Sequence, residues 1–148
     1  MRTLSLLVAL AVVAPALGFI QADEKDLEGV KCPVSGAPVK AAQKVDYKGG
    51  EVYFCCAKCP TAFTEDTEKF LEKANAQLTA TKQAEQVCCP LSGRPVDETK
   101  AAKVAGAEVA FCCGNCLAKV EGAEDAEKLT LIFAAKPFEK AFKVKEKE

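Results

Sequence analysis

The 148-residue sequence contains no histidine and no tryptophan, and only one methionine, Met1. Without imidazole it lacks the commonest general base at neutral pH and the usual ligand of copper(II) and of catalytic zinc. A soft metal ion would have to be held by thiolate, helped by carboxylate, carbonyl or water. A charge excess is also missing, since 20 basic residues balance 21 acidic ones. No basic stripe exists to attract a phosphate backbone, and nucleic acid is not an expected partner. No serine, carboxylate pair or glycine-rich loop forms a catalytic constellation, so the chain does not read as an enzyme. Beyond Leu4 to Leu17, no stretch is apolar enough to span a bilayer.

That first apolar run, with Arg2 before it and Ala16, Gly18 and Ala22 after it, has the pattern of a secretory signal peptide over residues 1–22. It falls short of the roughly 20 apolar residues of a membrane span. Cleavage fits Gly18 or Ala22, and Ala22 is preferred because Asp23 begins the polar chain. A secreted or periplasmic location follows, with no stable membrane span after cleavage. Residues 23–29 read as an acidic leader.

What the chain has in abundance is cysteine, nine in all. Phe54-Cys55-Cys56-Ala57-Lys58-Cys59 returns fifty-seven residues later as Phe111-Cys112-Cys113-Gly114-Asn115-Cys116. Each cluster follows a Cys-Pro-x-Ser-Gly turn, Cys32 to Gly36 and Cys89 to Gly93, so the spacing C-x22-C-x3-C occurs twice. Eight cysteines belong to this repeat; the ninth, Cys88, has Lys31 as its counterpart. Units of about 50–60 residues lie near the lower limit for an independent core and usually need a staple, for which thiols are the candidates.

The expected fold class is α+β: two small tandem treble-clef-like modules, each a knuckle turn, a β-hairpin and a helix. The first module spans residues 30–78, residues 79–86 form a linker or helix end, the second and more degenerate module spans 87–142, and 143–148 is a solvated tail. Pro33, Gly36 and Pro38 force a tight turn around Cys32. Val45 to Tyr47 and Glu51 to Phe54 flank Lys48-Gly49-Gly50 as a hairpin. Pro60 suits a first helical turn, Phe63 closes that helix onto the hairpin, and Asp66 caps a second helix with Phe70, Leu71, Ala74 and Leu78 on one face. In the second copy Tyr47, Gly50, Tyr53 and Phe63 become Val104, Ala107, Ala110 and Val120. Its helix carries Leu129, Leu131, Ile132 and Phe133 until Pro137 stops it, and Phe138 and Phe142 fold back.

A turn cysteine and two cysteines at a helix start can converge on one ion, and the helix N-terminus favours thiolate. Residues i and i+3 or i+4 share one side of a helix, so Cys55 or Cys56 can each be presented with Cys59. The candidate ligands are Cys32, Cys55 and Cys59, with Cys56 as a fourth, and Cys89, Cys112 and Cys116, with Cys113 as a fourth. If residues 54 to 56 stay extended, only one of the adjacent pair reaches the ion. Three thiolates suit copper(I) as readily as zinc, the two ions expected.

The combination of Cys-Pro-x-Ser-Gly, a Tyr-x-Gly-Gly hairpin, Tyr-Phe-Cys and a cysteine four residues on resembles the TRASH domain and its relative, the YHS domain. These are small treble-clef-related modules associated with heavy-metal trafficking, resistance and sensing. The likeness covers about residues 30–70 and 87–121. It implies metal binding through Cys32, Cys55 and Cys59 and through Cys89, Cys112 and Cys116, with metal ions and a metal-handling protein as partners. Relatives often carry cysteine where Ser35 and Ser92 stand, and the histidine of the YHS name is absent here. Two other readings use the same thiols: a disulfide- or zinc-stapled interaction module, with Cys32 paired to Cys55 or Cys59 and Cys89 to Cys112 or Cys116, and a C-x-x-C redox protein. The latter lacks the βαβ sheet of thioredoxin-like sites.

Overall fold

The computed structural model describes residues 27–145, so the signal peptide assigned to 1–22 and most of the leader lie outside the described residues. The elements follow the order β1 (Lys40–Tyr47), β2 (Gly50–Phe54), α1 (Lys58–Glu65), α2 (Thr67–Ala80), β3 (Ala84–Gln86), β4 (Asp97–Val104), β5 (Ala107–Phe111), α3 (Gly114–Glu121), α4 (Asp125–Phe133), α5 (Ala135–Ala141) and β6 (Phe142–Val144). The class is α+β. Among the described residues three two-stranded antiparallel sheets form, β1 with β2, β4 with β5, and β3 with β6.

The two hairpins are built alike. Lys48 and Gly49 turn the first with φ of 51° and 87°, and Ala105 and Gly106 turn the second with 50° and 87°. Two successive left-handed residues make the turn whose twist matches that of the strands, and glycine takes the second place without steric penalty. Register slips at the same point of each copy, between Lys40 and Lys44 and between Asp97 and Ala101. The expected packing of Phe63 is present: its ring lies 5.4 Å from Tyr47, edge-on, and 5.4 Å from Phe54. Asp66 caps α2 by accepting from the Lys69 amide.

Helix α2 is the centre of the molecule. Five successive residues, Ala74 to Leu78, are buried, so the helix is covered all round rather than on one face. It packs on α1 and β2 of its own copy and on α4, α5 and β5 of the other. A side chain cannot fit where β2 meets it: a Cβ at Gly50 would stand 2.7 Å from Leu78 Cδ2. One hydrophobic core therefore runs through both copies, from Val52, Phe54 and Phe63 to Phe111, Ile132, Phe133 and Phe138.

The second copy's counterpart of α2 is broken in two. Pro137 has no N–H to bond the Phe133 carbonyl one turn back, and α4 ends at Phe133. The buried Asn75 of α2 donates to that freed carbonyl instead, at 2.8 Å. The chain then restarts as α5 with Pro137 in its first turn. Phe138 and Phe142 do fold back, with stacked rings 5.2 Å apart.

Three glutamines tie the pieces together. Gln77 of α2 exchanges two hydrogen bonds with the Tyr53 backbone, accepting at 2.6 Å and donating at 2.9 Å. Gln83 does the same to Glu51 at 2.6 and 2.8 Å. The repeat counterpart of Gln77 is Ala134, which has no amide to offer, and Gln86 serves Ala110 from a different element at 2.9 and 2.7 Å. Each amide acts as a one-residue strand on a hairpin edge.

These bonds change the reading of residues 79–86. The stretch is the end of α2, a turn at Lys82 (φ 59°) and strand β3, anchored by polar groups rather than apolar ones. Lys143 and Val144, placed at the head of a solvated tail, pair with Glu85 and Ala84 in β6. Leu27, placed in the leader, is buried.

Candidate metal centres

Each knuckle is closed by backbone bonds about its cysteine. The Cys32 amide donates to Ala37 O at 2.8 Å and Gly36 N donates to Cys32 O at 2.8 Å, while Cys89 bonds Arg94 O and Gly93 in the same way. Both turns carry their glycine at positive φ, 74° at Gly36 and 73° at Gly93. The result buries the sulfur-bearing residue: Cys32 is 1% exposed and Cys89 0%. The hairpin then delivers Cys55, half-buried, and α1 delivers Cys59, buried in its first turn.

The structure brings Cys32, Cys55 and Cys59 together with their three sulfurs all within 4.8 Å of one another, and Cys89, Cys112 and Cys116 likewise. Cys55 and Cys59 stand 3.6 Å apart, and Cys112 and Cys116 3.7 Å. Sulfurs sharing one ion through bonds of about 2.3 Å at tetrahedral angles stand roughly 3.8 Å apart. The donor set therefore fits a soft ion in both spacing and chemistry. Cys56 and Cys113 are not members of these sets. Cys56 is exposed, 3.5 Å from Cys59, and Cys113 lies 3.7 Å from Cys112 with the Arg94 guanidinium 4.0 Å away.

Ser35 and Ser92 occupy a supporting position. Each hydroxyl accepts from a backbone amide, of Ala37 or Arg94, at 3.3 Å, and stands 3.1 Å from the sulfur of Cys55 or Cys112. Burial alone would raise the Cys32 thiol, but the Ser35 hydroxyl and the amides of Ser35, Cys55 and Val34 outweigh it and bring the pKa down to about 7. At Cys89 burial is likewise outweighed by Ser92 and neighbouring amides, and the value falls to about 6. Cys59 moves the other way, to about 12, through burial and through its neighbours Cys56, Cys55 and Cys32. Cys116 is raised to about 12 by burial, Cys112 and Cys113. One sulfur per cluster thus ionises more readily than an ordinary thiol, and another less readily.

Sequence spacing identified every member of the two sets. It did not identify Arg94, which stands where the first copy has Ala37, nor the contact of the Cys88 thiol with Lys140 O at 3.3 Å. A charged residue immediately after a conformationally essential glycine was the available signal for Arg94.

Two knuckle-and-helix thiol clusters of this geometry define a cysteine-rich, metal-competent module present in two copies. The family model of the YHS domain, which is related to the TRASH-type metal-binding domains, matches residues 30–74, and this range holds the whole first cluster. No curated protein and no solved structure matches the chain.

Proposed function

We propose that this protein is a secreted or periplasmic soft-metal-binding protein without catalytic activity, in which each treble-clef-like copy holds one zinc or copper(I) ion for sequestration, delivery or sensing. Cys32, Cys55 and Cys59 form one site and Cys89, Cys112 and Cys116 the other. The observation that carries this reading is the convergence, twice in one chain, of three sulfurs separated in sequence but within 4.8 Å in space. Three thiolates with an open fourth position hold a soft ion while leaving room for an incoming ligand, as exchange with a metal-handling partner requires. No helix among the described residues is long and apolar enough to cross a membrane.

Native mass spectrometry of the reduced protein titrated with zinc or copper(I) tests the proposal. Two ions per chain are expected, one in Cys32→Ser or Cys89→Ser, and none in the double variant. Protein that stays metal-free, with its thiols paired as disulfides, would instead support the stapled interaction module.

A further inference from the structure

Cys56 is the only cysteine of the nine exposed to solvent, yet its sulfur lies 3.5 Å from that of Cys59, a buried member of the first three-sulfur set. Cys59 therefore belongs to two groupings at once, the metal set and a Cys-Ala-Lys-Cys dithiol at the start of α1. The bond from Cys59 N to Cys56 O, 3.2 Å, closes the turn that holds both sulfurs on one side. A disulfide requires about 2.05 Å, so the sulfurs have to approach by only about 1.5 Å.

We infer that Cys56 and Cys59 form an oxidant-sensitive latch on the first metal centre: a small-molecule or protein disulfide converts them to a Cys56–Cys59 bridge and frees a bound zinc ion. The inference rests on the three-thiolate reading above. Cys56, as thiolate, attacks one sulfur of the incoming disulfide; that S–S bond breaks and one thiolate leaves. The Cys59 sulfur then attacks Cys56 Sγ in the mixed disulfide and expels the second thiolate. Two protein thiolates lose two electrons, the incoming disulfide gains them, and the ion departs in its original oxidation state. Cys32 and Cys55 remain as a two-sulfur site, too few to hold zinc, which takes four ligands.

The second centre is arranged differently. Cys113 is the N-cap residue of α3 with extended backbone (φ −166°, ψ 165°), whereas in the first copy Ala57 occupies the cap. Its sulfur lies 3.7 Å from that of its chain neighbour Cys112, with which a bridge is strained, and also neighbours that of Cys116. The direct 3.5 Å contact of Cys56 with Cys59 places the latch at the first centre, whose zinc is released first.

The test uses the full reduced protein loaded with zinc, treated with glutathione disulfide, and read by zinc-dye absorbance and by mass-spectrometric disulfide mapping. Wild type is expected to release one of its two zinc ions at least tenfold faster than Cys56→Ser, with a mapped Cys56–Cys59 bridge. Cys113→Ser is expected to release like wild type. Equal release from Cys56→Ser, or a map joining Cys59 to Cys32 or Cys55, overturns the latch while leaving metal binding intact. Protein that holds no zinc before oxidation overturns the metal reading and the latch with it.

Discussion

At the scale of the residue, the chemistry depends on how each sulfur is solvated by its own backbone. Ser35 supports Cys32, so Ser35→Ala is expected to raise the Cys32 thiol from about 7 toward its ordinary 9. A rise of one pKa unit lowers the thiolate fraction at pH 7 about fivefold and weakens the first centre by about as much, measurable by competition with a metal-binding dye. The pH dependence of the metal-free protein follows from the same groups. Cys32 and Cys89 ionise more easily folded than unfolded, so their stabilisation is complete above pH 9 and is lost as pH falls through about 7 and about 6. Cys59 and Cys116, raised to about 12, contribute below pH 9 and lose that contribution as pH rises toward 12. Thermal melts of the reduced apoprotein are expected to peak near pH 9; a melting temperature independent of pH between 6 and 9 contradicts this. The cysteines were legible in the sequence because only a few residue types can carry this chemistry and their spacing repeats. The division of protons among them was not, because it depends on amides and hydroxyls brought close only by folding.

At the scale of the element, the hairpins, the Asp66 cap and the Phe63 closure were readable because each rests on local rules of turn, cap and period. The elements that join the copies were not. Residues 79–86 contain no large apolar side chain, and their attachment runs through Gln83 and Gln86, whose amides replace strand neighbours. Polar anchoring of this kind leaves no periodic trace. Removing it has a large effect: Gln77→Leu deletes both amide hydrogen bonds to the Tyr53 backbone, at a cost of about 2–4 kcal/mol in denaturant unfolding. A loss below about 0.5 kcal/mol would show that water replaces the amide. Asn75→Ala exposes the complementary point, since the carbonyl that Pro137 frees at Phe133 then has no donor.

At the scale of the whole molecule, the repeat in sequence suggests two beads on a string, and the structure is one body about α2. Ala74 to Leu78 are sealed by elements of both copies, and β3 closes with β6 from opposite ends of the second unit. A chain cut after Gln86 is therefore expected to lack a cooperative unfolding transition, because the second copy's cover on α2 is gone. A sharp transition in that fragment would mean that the first copy folds alone. Joining the copies also fixes the two thiol clusters on a single scaffold, so loading one is expected to raise the melting temperature of the whole. Whether each cluster binds through three thiolates is read directly by X-ray absorption at the metal edge of the reduced, loaded protein. Three sulfur neighbours at about 2.3 Å per ion are expected. A fourth sulfur, which would bring Cys56 and Cys113 into the sites, or a shell of oxygen and nitrogen alone, would contradict three-thiolate binding.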